Sequence, residues 1–320
     1  MGHAIVDVLA PSEDAVVAEL GLEKGTMTLV DDQKSEEIYA LLGPASEASG
    51  GSAANTAACL ASLGAPVQFI GKVNDDGLGK VFTHDIRAIG VRYETRPATA
   101  GPGTGRCLVM VTPDAEKTMC TNLGAGATLE PSDIDVAAVA SAQVLYIEGY
   151  LYGKPETTPA VERAVSAARA SGTLVAFSGS DPAWVGLYRD ALWAILERTD
   201  ILFANEQEAL GLAATDDLDQ ALRALAKRCP TVAVTLGAKG CVVIDSNGTT
   251  TLPADPVDHV VDTTGAGDSF AAGFLYGMVR GLGPEASARL GALASAEIIS
   301  HLGARPLVPL SGLAAAAGLI

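Results

Sequence analysis

Apolar runs alternate with helical spacing through the second half of the chain, and that alternation restricts the fold more than any other feature. Val144-Leu145-Tyr146-Ile147, Thr173-Leu174-Val175-Ala176-Phe177, Ile201-Leu202-Phe203-Ala204 and Val232-Ala233-Val234-Thr235-Leu236 read as strands. Between them, residues 159–170, 185–196 and 218–227 place apolar side chains at helical intervals. Strands that are apolar almost throughout, separated by helices, build a mostly parallel sheet covered on both faces. Ligands of such sheets bind beyond the carboxyl ends of the strands. The 320 residues, 48% of them hydrophobic, supply one large α/β domain and a smaller element.

Three loops fall at those strand ends. Glu148-Gly149-Tyr150 offers an aromatic ring that either stacks on a flat ligand or caps the core. Asn205-Glu206-Gln207-Glu208 reads as a helix N-cap with acids in the first turn, or as a polar site facing a ligand. Thr235-Leu236-Gly237-Ala238-Lys239-Gly240 is a glycine turn. A fourth stretch, Val260-Val261-Asp262-Thr263-Thr264-Gly265-Ala266-Gly267-Asp268-Ser269-Phe270, begins as the expected end of a strand. It turns through two glycines and continues with Phe270, Ala271, Phe274, Leu275 and Met278 at helical spacing. A glycine turn feeding a helix aims unpaired N–H groups and a positive dipole end at whatever lies before it. Asp268, one step inside, is a poor anion ligand there but a suitable base for a hydroxyl attacking a bound phosphoryl group. Taken alone, the same letters also describe an ordinary helix start.

Earlier in the chain, Ala4 to Ala10 is a short apolar strand interrupted by Asp7, a carboxylate that is costly to bury without partners. Ser49-Gly50-Gly51-Ser52-Ala53-Ala54-Asn55 is a second glycine turn opening a small-residue helix, in which Asn55 needs partners. Residues 11–48 are more charged and less periodic, as in a partly exposed insertion. Gly105 to Val111 and Lys117 to Thr121 read as a hairpin about Thr112-Pro113-Asp114-Ala115-Glu116. Asp75 and Asp76 read as loop acids.

The signature from Asp262 to Phe274 resembles that of the PfkB (ribokinase-like) family of sugar and nucleoside kinases, and the likeness covers nearly the whole chain, roughly residues 2–306. It implies a ribokinase-like three-layer α/β sandwich with a central, mostly parallel sheet and a small β-sheet lid. Residues 1–10, 49–91 and 123–320 are expected to form the α/β domain, and 11–48 and 92–122 the lid. By the same likeness Asp268 is the catalytic base, and Gly265, Ala266 and Gly267 form the anion hole. Gly2-His3-Ala4-Ile5-Val6-Asp7 corresponds to a G-N-x-x-x-D pattern with His3 in place of Asn, and only Met1 and Gly2 precede it, so the strand is expected to lack its usual upstream half. Asp7, Gly50, Gly51 and Asn55 are implied to bind acceptor hydroxyls, with Tyr150 and the lid residue Lys117 as further contacts. Asn205, Thr235, Gly237 and Gly240 are implied to bind ATP, Glu208 to hold Mg2+ through water, and Asp262 and Thr264 to hold a monovalent cation such as K+.

The expected reaction is ATP-dependent phosphorylation of a hydroxymethyl group. The closest resemblance is to adenosine-kinase-like bacterial members, so adenosine is the first acceptor to consider. A ribokinase- or fructokinase-like sugar kinase is the alternative. A non-catalytic nucleotide-binding protein on the same fold is less favoured, because neither Asp268 nor the glycines are missing. A net charge of −17 argues against nucleic acid and an anionic membrane surface as partners, leaving a small nucleoside or sugar and a monomer or homodimer. Five scattered cysteines without a C-x-x-C fit a reducing compartment. With no long apolar run and no signal peptide, a cytoplasmic location is expected.

Overall fold

A computed structural model describes residues 1–114 and 116–320; Ala115, within the expected hairpin turn, lies outside the described residues. In chain order the strands are β1 (Ile5–Pro11), β2 (Met27–Leu29), β3 (Ser46–Gly50), β4 (Gln68–Phe69), β5 (Arg92–Tyr93), β6 (Thr104–Val111), β7 (Lys117–Gly124), β8 (Val144–Glu148), β9 (Leu174–Ser178), β10 (Ile201–Asn205), β11 (Thr231–Thr235), β12 (Cys241–Asp245) and β13 (Gly248–Leu252). The larger sheet runs β13-β12-β11-β10-β9-β8. Its β8 to β11 are parallel, as apolar strands with helical crossovers require, and β12 and β13 close it as an antiparallel edge hairpin.

Helices cover both faces of this sheet. Thr158–Ser171, Pro182–Ile195, Glu206–Ala213 and Leu218–Ala226 bury their apolar stripes on one side. Ala266–Val279 and Gly283–Ile298 pack on the other, with Ser52–Ser62 against them. The three-layer α/β sandwich is therefore present. Its five cysteines are free and buried.

The second sheet runs β2-β7-β6-β1-β3. It draws on more chain than residues 11–48 and 92–122, because β1 belongs to it and β3 and β7 run on to Gly50 and Gly124, whereas β5 pairs with β4 beneath. The residues before β1 connect the layers. Met1 O accepts from Glu148 N (3.2 Å) and Gly2 N donates to Ile70 O (3.0 Å), so the segment begins between β8 and β4. It then crosses into the smaller sheet, and Asp7 lies on that crossing strand. Residues 11–48 are more ordered than their composition suggests, with helices Asp14–Glu19 and Asp32–Leu41 on either side of β2. Asp76 is structural, capping the helix Gly77–Ala88 through Gly79 N (2.7 Å) and holding Thr104 N (2.8 Å).

One expectation fails. Val260-Val261 does not end a strand, and both side chains are exposed. The segment is irregular, tied by Val261 N to Ile299 O (2.8 Å), because the sheet already ends at the edge strand β13.

Candidate active site

A cleft of about 530 Å³ lies between the carboxyl ends of β8–β11 and the inner face of the smaller sheet. Period-two alternation turns Ile5, Asp7 and Leu9 of β1 toward the cleft and sends Val6 and Val8 into the core. Ile5 and Leu9 join Cys107, Val109, Met119 and Leu123 in an apolar ceiling. Asp7 is the carboxylate in that ceiling, and burial pushes it up to about 6, although Arg305 and Lys117 draw it down. Among the described residues no hydrogen bond reaches it. Its carboxylate lies over Gly50, where a Cβ would stand 2.3 Å from Oδ2, so only glycine leaves it room. Gly50 is thus support for Asp7 rather than part of the cleft wall. Gly51, with Ser52 and Asn55, does line the cleft.

The helix Ala266–Val279 begins at Gly265, whose φ of +81° and close approach to Ala304 exclude a side chain. Ala266 N is occupied by Thr263 O (3.2 Å), so Ala266 does not supply the anion hole. The amides of Gly267 and Asp268 stand in the first turn, where a helix provides no acceptor. Nothing lies within 4 Å of where a Gly267 side chain would stand, so the space is open for a ligand.

Asp268 is half-buried at the same helix start. Its Oδ1 accepts from Ser52 Oγ (2.6 Å) and its Oδ2 from Asn55 Nδ2 (3.2 Å). Burial pushes its carboxyl up to about 6, against the pull of those two donors, and Glu148 adds to the rise. A carboxyl titrating there is ionised at neutral pH yet basic enough to take a proton. Asn55 is less free than its sequence suggests. Its Oδ1 accepts from Arg305 Nε (3.0 Å) and one N–H goes to Asp268, so it has one N–H left for an acceptor.

On the β10 side, Asn205 and Glu208 form a reciprocal cap. Asn205 Oδ1 accepts from Glu208 N (2.9 Å), while Asn205 N (3.1 Å) and Nδ2 (2.6 Å) donate to the Glu208 carboxylate. The N-cap reading of this motif holds, and both residues also line the cleft. Burial pushes Glu208 up to about 7, reinforced by Asp181 and Asp268. Thr235 and Gly237 line the cleft as well. Gly240 does not belong with them. A Cβ there would lie 1.9 Å from Leu252 O, so it is bare to let the β12–β13 edge pass. Tyr150 reaches the cleft but packs edge-on against Trp184, with centroids 5.5 Å apart, which is the core-capping arrangement.

Lys117, at the start of β7, pairs with Asp262 and thereby ties the smaller sheet to the signature loop. Asp262 Oδ1 accepts from Thr264 N (3.0 Å) and Oγ1 (2.7 Å), and its Oδ2 accepts from Gly303 N (2.9 Å) as well as Lys117. All the acceptor positions of a carboxylate are then filled. Asp262 and Thr264 do not fit a monovalent cation in this arrangement, because the protein's own ammonium stands on the carboxylate. Among the described residues no cluster of three or more His, Cys, Asp or Glu could enclose a metal.

Sequence reasoning missed three site residues. Ser52 reads from the sequence only as part of a turn, and Arg305 carries no local signal at all. Glu148, buried, accepts from His3 N (2.7 Å), His3 Nδ1 (2.8 Å) and Ala53 N (2.9 Å), fastening the N-terminal segment and the helix Ser52–Ser62 to β8. A glutamate closing an apolar strand was the available signal.

A carboxylate beside the open amides of a helix start, facing a second sheet across a cleft, has the geometry that phosphoryl transfer requires. Residues 25–310 match the pfkB family carbohydrate kinase model, and the chain belongs to that family. It is 45% identical to the adenosine kinase from Sinorhizobium meliloti, with a TM-score of 0.92 over 99% of this chain and 97% of that one. A probable sugar kinase from Rhizobium etli CFN 42 is 42% identical, with a TM-score of 0.94 over 100% and 97%. Adenosine kinase of Saccharomyces cerevisiae is 29% identical across 95% of this chain and 94% of its own length. The protein is accordingly an ATP-dependent phosphotransferase that acts on an alcohol group of a nucleoside or sugar. No helix among the described residues is long and apolar enough to cross a membrane.

Proposed function

We propose that the chain phosphorylates the 5′-hydroxymethyl group of a ribonucleoside, adenosine first. The observation that carries this reading is the apolar ceiling beside Asp7. A carboxylate without hydrogen-bond partners among the described residues suits the vicinal hydroxyls of a ribose, and the apolar surface next to it suits a flat base. A free sugar has no group to cover that ceiling. The kinship with two proteins named adenosine kinase supports the same choice.

In this reading Asp7 and the remaining Asn55 N–H hold the ribose hydroxyls, leaving the 5′-hydroxyl toward Asp268. Its oxygen attacks the terminal phosphorus of ATP, the bond to the bridging oxygen of ADP breaks, and the hydroxyl proton passes to the Asp268 carboxylate. The Gly267 and Asp268 amides receive the transferring group, while Thr235, Gly237 and Asn205 face the nucleotide. Glu208 fits Mg2+. It is buried, negatively charged neighbours surround it, and among the described residues no cation pairs with it. Magnesium there, shared with phosphate oxygens, would neutralise the triphosphate. The free cysteines support a reducing, cytoplasmic setting.

The test is ATP consumption with adenosine, 2′-deoxyadenosine, 3′-deoxyadenosine, ribose and fructose. Adenosine is expected to lead, with each deoxy form poorer by up to about 10⁴-fold because buried polar groups go unpaired. Turnover of ribose or fructose without adenosine overturns the nucleoside reading in favour of a sugar kinase. Equal kcat/KM for adenosine and its deoxy forms removes Asp7 from the site.

A further inference from the structure

The segment after the helix Gly283–Ile298 touches the signature region with Gly303 and Ala304, and the helix Ser52–Ser62 with Arg305. Gly303 N donates to Asp262 (2.9 Å), Ala304 lies against Gly265, and Arg305 Nε donates to Asn55 Oδ1 (3.0 Å). The last contact has a consequence for the base. A carboxamide can turn either way, and only one orientation puts its N–H groups on Asp268. The other would set the Asn55 oxygen against a carboxylate and its N–H groups against a guanidinium. Arg305 enforces the first, because a guanidinium only donates and stays charged.

We propose that Arg305 is a positioning residue for the phosphoryl-transfer base: through Asn55 it orients the Asp268 carboxylate, and by its charge it keeps that carboxylate in the proton-accepting form. This rests on the reading of Asp268 as the base. The charges around Asp268 give the second half its weight. The helix Ser52–Ser62 presents Ser52, Asn55 and Cys59, and β8 presents Tyr146 and Glu148. Tyr150 and, from the helix Glu206–Ala213, Glu208 stand with them. Glu148 and Glu208 are acids that oppose ionisation of Asp268; the cation acting on it is Arg305. Arg305 also draws down Asp7, so one guanidinium serves both the base and the acceptor-binding carboxylate.

The experiment compares full-length wild type, Asp268→Asn, Arg305→Gln and Arg305→Lys from pH 5 to 9 with ATP and the best acceptor. Gln keeps a donor for Asn55 but removes the charge; Lys keeps the charge. Both should bind ATP as wild type does, which reports folding. The acid limb of kcat for Arg305→Gln is expected to move up by about one pH unit, a tenfold change in proton affinity. Arg305→Lys is expected to keep the wild-type limb; if Arg305→Gln does not fold, Arg305→Met, which also removes the charge, carries the test with the same expected displacement. A purely structural Arg305 lowers thermal stability in both and moves neither limb. Coincident limbs for Gln and wild type, or a displaced limb for Lys, overturn the proposal while the kinase reading stands. A wild type that turns over no acceptor, or an Asp268→Asn that remains active, overturns the base reading and this inference with it.

Discussion

Asp268→Asn should remove turnover and, at the same time, make the unliganded protein more stable. The exchange preserves shape, and the local hydrogen bonds can be kept. The new amide oxygen accepts from Asn55 Nδ2, and the new NH2 donates to the Ser52 hydroxyl, which is free to rotate. The charge, however, is lost. Holding the carboxyl at about 6 instead of 3.8 costs the folded state up to about 3 kcal/mol once it is ionised. The sign follows from proton binding. The native carboxyl holds its proton more tightly than the unfolded one, so stability falls as pH rises from about 4 to about 6 and stays lower above that. Asn has no such dependence. Allowing for partial solvent screening, we expect a gain of roughly 1–3 kcal/mol at pH 7.5, or about 2–6 °C in Tm. That gain should shrink toward zero near pH 4. Turnover should fall by about 10²–10⁴-fold. Steady-state kinetics and paired melting curves at pH 5.0 and 7.5 check both halves. A variant retaining more than about half of kcat shows that Asp268 is not the base, since even a tenfold loss is only 1.36 kcal/mol. A lost turnover with a lowered Tm at pH 7.5 shows that the carboxylate stabilises the fold, and the argument from burial then fails.

Gly267→Ala should behave in the same contrary manner. A methyl group meets nothing within 4 Å, so the helix should gain about 0.5–1 kcal/mol, while kcat/KM for ATP drops because the methyl occupies the anion hole; unchanged kinetics would remove Gly267 from the site. Lys117→Met cuts the ion pair between β7 and Asp262, and hydrogen exchange in residues 104–124 should quicken while the larger sheet is unaffected. In the wild type, residues 11–48 and 92–122 should gain more protection from the acceptor than from ATP alone, and equal protection by both would count against a lid that closes on the acceptor.

What could be read from the sequence follows from how local the physics is. The parallel core was legible because β9, β10 and β11 are apolar on both faces and flanked by helical spacing, so no distant information is needed. The signature helix was legible for the same reason. Val260-Val261 misled because an apolar pair looks like a strand whether or not a sheet edge is free to receive it. Gly240 and Gly237 are indistinguishable as letters, yet one clears the Leu252 carbonyl and the other faces the cleft. Asn55 illustrates the limit most clearly. Its need for partners was evident, but Arg305 stands 250 positions away, and nothing local says that the amide oxygen is already taken.

The same long-range contacts explain why the site gathers so many acids. Asp7, Glu148, Glu208 and Asp268 come from four separate elements and line one cleft, and burial raises three of them toward neutrality. Among the described residues the cations Lys117 and Arg305 reach this group, and each is held by a hydrogen bond at the margin. Lys117 is held on Asp262 and Arg305 on Asn55. Neither neutralises Glu208, which faces the side where a triphosphate and its metal would arrive. A carboxylate left uncompensated destabilises the empty cleft and favours a ligand that brings positive charge to it. The unpartnered Asp7 likewise favours a ligand that brings hydroxyl donors. The cleft is thus strained at its two ends by different chemistry, which on the proposed function suits two different substrates aligned across Asp268.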